Sequence, residues 1–460
     1  MALKNRKSKL SADVIVIGGG AAGTVAAQTL HNSGKTVIVI ENGKLGGDCA
    51  HHSCIPTRSL LESANLFQEI KKSSHHGISV DNFDIDFNAV IHAQKKAITA
   101  TGVLVTDDKY GAGIKIVRGH AHFIDNQTIT VGLNQYTAKY YIIANGSYPY
   151  VPDINGLSDA GYLTYRSFQD LKELPKSMLI IGGGPTAYEY SQILRAFDVK
   201  VHIIESKDHI LNHLDPEASD LAENILTNLG VAVHTKTTIK SIAKSEKGIT
   251  VNYQKGGLAH GLRVHAVMLA CGNKPSTDIG LENLGIDYNK DGITVNKSLR
   301  TSQKNVYAIG DITGLVDSAG GALLSGQIAA HNIMSRKKIH FNPSFIPRAI
   351  FGTPEIATVG TSEKSIILTG QPYQTSLTPI SIVGRSFTKP YQDGFVKIIA
   401  SNYGTIIGAT IVAPNASEII NELALVVKMH IRACDVVNTP NVFGSWGEAV
   451  RVAASKIRCI

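Results

Sequence analysis

Cysteine is scarce, 5 residues in 460, and tryptophan occurs once. So few cysteines in a chain this long exclude a small scaffold stapled by disulfides. The sequence also lacks any stretch near the roughly 20 continuous apolar residues of a membrane-spanning helix. At 43% hydrophobic and 18% charged it has ample material for packed cores, and its length predicts two to four domains. The formal charge is +8, yet the excess is scattered and lacks the interleaved aromatics of a single-strand nucleic-acid binder. Neither a nucleic-acid partner nor membrane insertion is expected. Lys4, Arg6, Lys7 and Lys9 form a short basic arm, expected to be solvated and disordered. The apolar run after it is cut by glycine too soon for a signal peptide, so the cysteines are expected in a reducing, cytoplasmic setting.

Glycine is plentiful, with 43 residues, and it clusters. Residues 12–41, ADVIVIGGGAAGTVAAQTLHNSGKTVIVIE, read as a buried strand, a glycine turn, a helix and a second strand ending in an acid. Residues 178–205, MLIIGGGPTAYEYSQILRAFDVKVHIIE, repeat the design, and Gly18 to Glu41 and Gly182 to Glu205 are both 23 residues apart. Glycines at 18, 20 and 23 permit a tight turn, close approach of a pyrophosphate and close packing of helix on strand, while the helix N-terminus offers free N–H groups. One such motif is weak; two with matching acids predict two dinucleotide sites. In the second copy Gly182, Gly184 and Ala187 take the three positions, and Ala also allows close packing. Glu41 and Glu205 are each placed to accept hydrogen bonds from a ribose diol, and a carboxylate at Glu205 disfavours the 2′-phosphate of NADP(H) relative to NAD(H).

Between the copies lies GGDCAHHSCIPTR, residues 46–58. Two sulfurs five residues apart at the start of a helix are about one turn apart, close enough to bridge if the turn tightens. Alone, the spacing favours two reduced, packed thiols. With the two nucleotide motifs, Pro56 and the segments IIANGS (142–147), MLACGNKPST (268–277) and NVYAIGDITG (305–314), the sequence resembles the pyridine nucleotide-disulfide oxidoreductases. The segment 395–427 is similar to that family's dimerisation domain.

The resemblance implies an α/β protein with two Rossmann-like dinucleotide-binding domains, for FAD and NAD, and a C-terminal α+β dimerisation domain. The expected boundaries are 1–150 and 272–335 for FAD, 151–271 for NAD(H) and 340–460 for a homodimer interface. It further implies that electrons pass from NADH through FAD to a Cys49–Cys54 disulfide, with Cys54 facing the flavin and Cys49 exchanging with the acceptor. Gly47, Asp48, Gly146, Gly272, Gly310 and Asp311 are expected to bind cofactor, with Asp311 bonding the ribityl chain of the flavin. Glu189 matches an acid that pairs with a lysine near the flavin; the lysine position here is Arg58, which implies a Glu189–Arg58 pair. Pro185 stands where an aromatic often covers the nicotinamide pocket.

One departure bears directly on the chemistry. Members that reduce disulfides carry a His five residues before a Glu, and here the Glu is Glu448 and the His position is Phe443. Phe moves no proton, which removes a contribution of about 10²- to 10⁴-fold in rate. The expected acceptor is therefore a metal ion, a quinone or an oxidant-derived electrophile. The alternatives are a dihydrolipoamide dehydrogenase in which His51 or His52 substitutes as base, and a catalytically weak FAD-binding sensor. His51 and His52 suit a soft metal or a proton donor, or simply face solvent; no metal-ligand motif occurs elsewhere. Cys271 and Cys434 are expected to pack. Cys459 is expected on a flexible tail, either incidental or a shuttle.

Overall fold

The computed structural model describes residues 9–102, 113–389 and 391–460. Lys4, Arg6 and Lys7 lie outside the described residues, whereas Lys9 belongs not to an arm but to the first strand, Lys9–Ile17. The chain divides into two compact units, residues 1–56, 92–150 and 273–343 in the first and 57–91, 151–272 and 344–460 in the second.

The first unit is built on a seven-stranded sheet. Lys9–Ile17 lies between Val37–Glu41 and Asn134–Ile143, parallel to both, and Lys115–Arg118 and Val306–Ala308 extend the parallel part. Thr128–Val131 and His122–Phe123 add an antiparallel flank. Val14, Ile15, Val16 and Ile38 to Ile40 are almost wholly buried. Strands covered on both faces need such unbroken Val/Ile runs, which explains why these segments do not alternate. The helix Ala21–Asn32 buries Ala22, Ala26 and Leu30, one face at helical spacing.

The second unit repeats the plan in a parallel four-stranded sheet, Ala232–His234, Lys200–Ile204, Ser177–Ile181 and Ala266–Leu269 in that order, with an antiparallel three-stranded sheet from 237 to 264. It also contains an antiparallel five-stranded sheet, in the order Arg348–Ile350, Glu355–Gly360, Ile406–Ala413, Phe395–Ser401 and Tyr373–Pro379. The helices Ala416–Lys428 and Glu448–Ala454 bury their apolar faces with this sheet in one core. The architecture is α/β with an added α+β sheet. Residues 57–91 belong to the second unit, where Leu60, Leu61 and Ala64 share a core with Tyr188 and Tyr190.

Lys397 sits in the second unit with its side chain only 2% exposed, and three carboxylates compensate it: Asp215 at 3.3 Å, Glu217 at 2.9 Å and Glu363 at 2.5 Å. A buried ammonium requires such partners. The space among these acids is thus filled by the protein's own cation. Among the described residues no helix is long and apolar enough to cross a membrane.

Candidate active site

The first glycine turn joins Lys9–Ile17 to Ala21–Asn32. The turn is tight because Gly18 has φ +98°, and a Cβ there would lie 2.3 Å from the Ala144 carbonyl oxygen. A Cβ on Gly23 would lie 1.9 Å from the Gly18 oxygen, so helix and turn are in direct backbone contact. Around Gly20 the nearest atom to an added Cβ is Gly47 Cα at 3.8 Å, leaving the mouth of the helix open. No side chain caps that helix. Its first N–H groups are thus available to an anion, as a pyrophosphate requires.

Glu41 does more than await a ribose. Its Oε2 accepts the Gly19 N–H at 2.7 Å and its Oε1 accepts the Gly43 N–H at 2.6 Å. The second copy repeats this to within 0.1 Å at the turn: Glu205 Oε2 accepts the Gly183 N–H at 2.6 Å, and Oε1 accepts the Lys207 N–H at 2.8 Å. Each acid therefore closes its own glycine turn from the tip of the next strand; both Glu41 oxygens and Glu205 Oε2 retain a lone pair for a diol, whereas Glu205 Oε1 also accepts from Ser206 Oγ at 3.1 Å. The fixed 23-residue interval follows: the acid must reach back to the residue after the first glycine. In the second copy the helix Pro185–Ala196 begins at Gly184, and Ala187 is buried where Gly23 stands in the first. Gly272 follows the strand Ala266–Leu269 after two residues.

Cys49 and Cys54 are joined by a disulfide, with Cα atoms 4.6 Å apart. Cys49 lies in the helix Gly47–His51 and Cys54 opens the helix Cys54–Lys71. Gly46 N–H donates to the Gly19 carbonyl at 2.8 Å, which carries the disulfide segment directly onto the first glycine turn. A Cβ on Gly47 would stand 2.8 Å from Gly20 Cα, so only glycine allows that approach. His51 is buried rather than solvent-facing; its Nε2 pairs with the Leu45 carbonyl at 2.7 Å, while Nδ1 has no partner among the described residues. Nε2 must carry the proton to donate to a carbonyl, so Nδ1 is the free acceptor. His52 is half-buried, with its ring 6.4 Å from that of His51.

Asp311, in the turn Gly310–Thr313, accepts a hydrogen bond from Ser147 Oγ at 2.9 Å. Burial, with the charges of Asp317 and Asp48, raises its pKa against the lowering effect of that bond. Asp48 is thereby placed close to Asp311 in the same unit, and Gly146 immediately precedes Ser147. Ser147 was not anticipated from sequence, and no local pattern marks it, since it stands 164 residues from the group it supports. The open helix mouth and this half-buried acid within one unit fit the pyrophosphate and ribityl portions of a flavin dinucleotide.

In the second unit Glu189 and Arg58 do not make the direct pair that the resemblance implies. The Arg58 guanidinium lies over the ring of Phe351 at 3.8 Å, a cation–π contact. Glu189 Oε1 accepts the Phe351 N–H at 2.9 Å. Phe351 bridges the two through its ring and its backbone, leaving the charges to interact through space. Burial pushes the Glu189 carboxyl up to about 7, opposed by the Phe351 N–H and the Arg58 charge. Between about pH 4.5 and 7 the folded protein therefore holds a proton that the unfolded chain has released, so this group's contribution to stability falls as pH rises through that window. Melting midpoints measured across it should decline with pH in the wild type, and Glu189→Gln, which retains an acceptor for Phe351, should flatten that slope.

Toward the C-terminus, Glu448 Oε2 accepts the Gly444 N–H at 2.8 Å and so braces the loop before its own helix. Phe443 in that loop is 90% exposed and Val442 79%. Cys271 donates to the Ile181 carbonyl at 3.2 Å, and burial raises its thiol to about 11, as expected of a packing residue. Cys459 is not on a loose tail. The Gln374 side chain accepts the Arg458 N–H at 2.8 Å and donates to the Arg458 carbonyl at 2.9 Å.

Residues 12–331 match the pyridine nucleotide-disulphide oxidoreductase family, and residues 346–454 match that family's dimerisation domain. The chain belongs to this family. It is 32% identical to a dihydrolipoyl dehydrogenase of Geobacillus stearothermophilus over 452 residues, which covers 97% of this chain and 96% of that protein. It is 28% identical to a mercuric reductase of Staphylococcus aureus over 462 residues, covering 97% and 84% respectively. Among solved structures, the HOCl-induced flavoprotein disulfide reductase RclA from Escherichia coli superposes with a TM-score of 0.86 at 25% identity, covering 97% of this chain and all of that one. This oxidoreductase is an FAD-dependent enzyme that uses a pyridine nucleotide and a redox-active disulfide, and its dimerisation domain supports a homodimer.

Proposed function

We propose that this enzyme draws electrons from NADH and delivers them, through the Cys49/Cys54 dithiol, to an acceptor other than a classical disulfide. The metal ions, quinones and oxidant-derived electrophiles are the fitting classes. The observation that carries this is Phe443: the position that would supply a proton to a leaving thiolate holds a hydrocarbon ring. Such acceptors take up the dithiol's two electrons, as one molecule or as two one-electron ions, with no strong acid at that place. A relative named mercuric reductase and a structural neighbour named for its induction by HOCl support the same classes.

FAD, when bound, relays the electron pair from the nicotinamide to the disulfide. The Gly18, Gly20 and Gly23 turn holds its pyrophosphate at the helix mouth, Glu41 binds its adenosine ribose, and Gly47, Asp48, Gly146, Gly310 and Asp311 line the remainder. Gly182, Gly184, Ala187, Glu205 and Gly272 hold NAD(H). Cys54 is the sulfur nearer the flavin and Cys49 the one that exchanges with the acceptor. Reoxidation passes two electrons from the thiols to the acceptor and re-forms the S–S bond; a quinone also takes up the two thiol protons, whereas a metal ion leaves them to solvent. Glu189 and Arg58 tune the charge near the reacting groups, Glu448 braces the partner-facing loop, and the cytoplasm supplies the NADH.

Acceptors compared at equal NADH should include a quinone, Hg(II), Cu(II) and lipoamide. Lipoamide is expected to be slowest, and Phe443→His to raise its rate at least about 10-fold while leaving quinone reduction unchanged. Robust lipoamide turnover by the wild type would overturn the proposal. The competing assignment, a dihydrolipoyl dehydrogenase in which His51 or His52 substitutes as base, predicts instead that His51→Ala or His52→Ala cripples lipoamide turnover and leaves NADH oxidation by artificial acceptors intact. Coenzyme choice is tested at Glu205: NADH should exceed NADPH in kcat/KM, and Glu205→Ala should narrow the gap by roughly 10-fold.

A further inference from the structure

Cys434 and Cys459 are 25 residues apart in sequence and adjacent in space. Cys459 Sγ accepts the backbone N–H of Cys434 at 3.0 Å, and the Cys434 side chain is near enough to influence the same sulfur. Two other segments hold the arrangement. Gln374 grips Arg458 from both sides and also donates to the Asn402 carbonyl at 3.0 Å. Gly404, with φ +88°, leaves room for the tail: a Cβ there would lie 3.1 Å from Cys459 Sγ. The Gly404 carbonyl in turn accepts the Ala433 N–H at 2.8 Å, fixing the start of the helix Ala433–Asn438. Packing alone asks only for volume. Here a pinned backbone on each side brings Cys459 Sγ onto the backbone of Cys434.

We propose that Cys434 and Cys459 are a second oxidisable pair, separate from Cys49 and Cys54, that closes into a disulfide when the protein meets hydrogen peroxide. One thiolate attacks the peroxide, breaking the O–O bond and releasing one water as a sulfenic acid forms. The other thiol displaces the sulfenic oxygen as a second water, so the two sulfurs lose two electrons, the peroxide gains them, and the thiol protons end in water. Burial and the neighbouring Cys434 thiol hold the Cys459 thiol above its ordinary value. Near neutral pH the Cys459 thiol is therefore largely protonated and slow to react, which makes the pair a responder to sustained oxidant; closure accelerates as pH rises. The bond ties the tail to the helix Ala433–Asn438 and encloses the loop bearing Phe443 and the helix of Glu448 within one covalent ring.

This inference rests on the thiols alone and stands apart from the choice of electron acceptor. The full-length, cofactor-loaded enzyme is treated with hydrogen peroxide, alkylated with iodoacetamide, digested without reduction and mapped by mass spectrometry. The expected result is a cross-linked peptide pair joining Cys434 to Cys459, reversed by dithiothreitol and formed faster at about pH 9 than at about pH 7, with Cys271 still alkylated. The melting midpoint should rise by a few degrees on oxidation of the wild type and not of Cys459→Ser. Cys434 and Cys459 both remaining alkylated, or Cys459 passing to sulfinic acid with no cross-link, overturns the proposal. The mapping needs only the wild-type chain, so a poorly folding variant does not protect it.

Discussion

Changing Cys49 or Cys54 to Ser is expected to lower NADH-driven reduction of the best acceptor by roughly 10³-fold or more, and the double variant to be no worse than either single one. The reason is stoichiometric. A disulfide takes up two electrons only as a pair of sulfurs, and a serine oxygen cannot form the returning S–S bond. The two residues already lie within one such bond, with Cα atoms 4.6 Å apart, so no rearrangement is needed to close it. Thiol counting gives a readout independent of turnover. NADH-treated wild type should gain two alkylatable thiols, at Cys49 and Cys54, and neither single variant should respond to NADH in this way. Near-wild-type rates in both variants would show that electrons bypass the dithiol.

Gly23→Ala is expected to abolish retention of FAD and to destabilise the first unit by on the order of 3 kcal/mol. Its Cβ would stand 1.9 Å from the Gly18 carbonyl oxygen, far inside contact distance. That oxygen belongs to the backbone of the turn, so relief requires moving helix and turn apart and spoiling the row of N–H groups at the helix mouth. The second copy provides the control. Ala187 already carries a methyl at the matching place and is 1% exposed, so Ala187→Gly should cost only about 1 kcal/mol of helix propensity and leave FAD retention intact. Flavin absorbance of the purified proteins and their melting midpoints check both statements. A Gly23→Ala protein that holds stoichiometric flavin would refute the turn geometry as the basis of binding.

The nucleotide sites were legible in the chain because their logic is short-range. Strand, turn, helix and answering acid fall within about 30 residues, and unbroken Val/Ile runs signal strands buried on both faces. The redox pair was legible only through the resemblance, because a separation of five residues by itself also suits two packed thiols. Phe443 was informative as an absence, a proton donor missing from a known place.

Other features had no signature. The exact interval from glycine to acid could be counted, but its cause, Glu41 and Glu205 reaching back to Gly19 and Gly183, appears only when the strands lie side by side. Ser147 supports Asp311 from 164 residues away, and Phe351 stands between Arg58 and Glu189 although it is 162 residues from the latter. A direct Arg–Glu pair is what charge alone suggests; packing an aromatic ring against the guanidinium decided otherwise. Cys459 read as a tail residue because nothing near it in sequence binds it, whereas Gln374 and Cys434 do so from other elements. Motif spacing encodes the geometry a chain can build within one strand–turn–helix unit. Partners drawn from distant segments depend on which surfaces the core brings together, and that is decided only when burial of the whole chain fixes the path of the backbone.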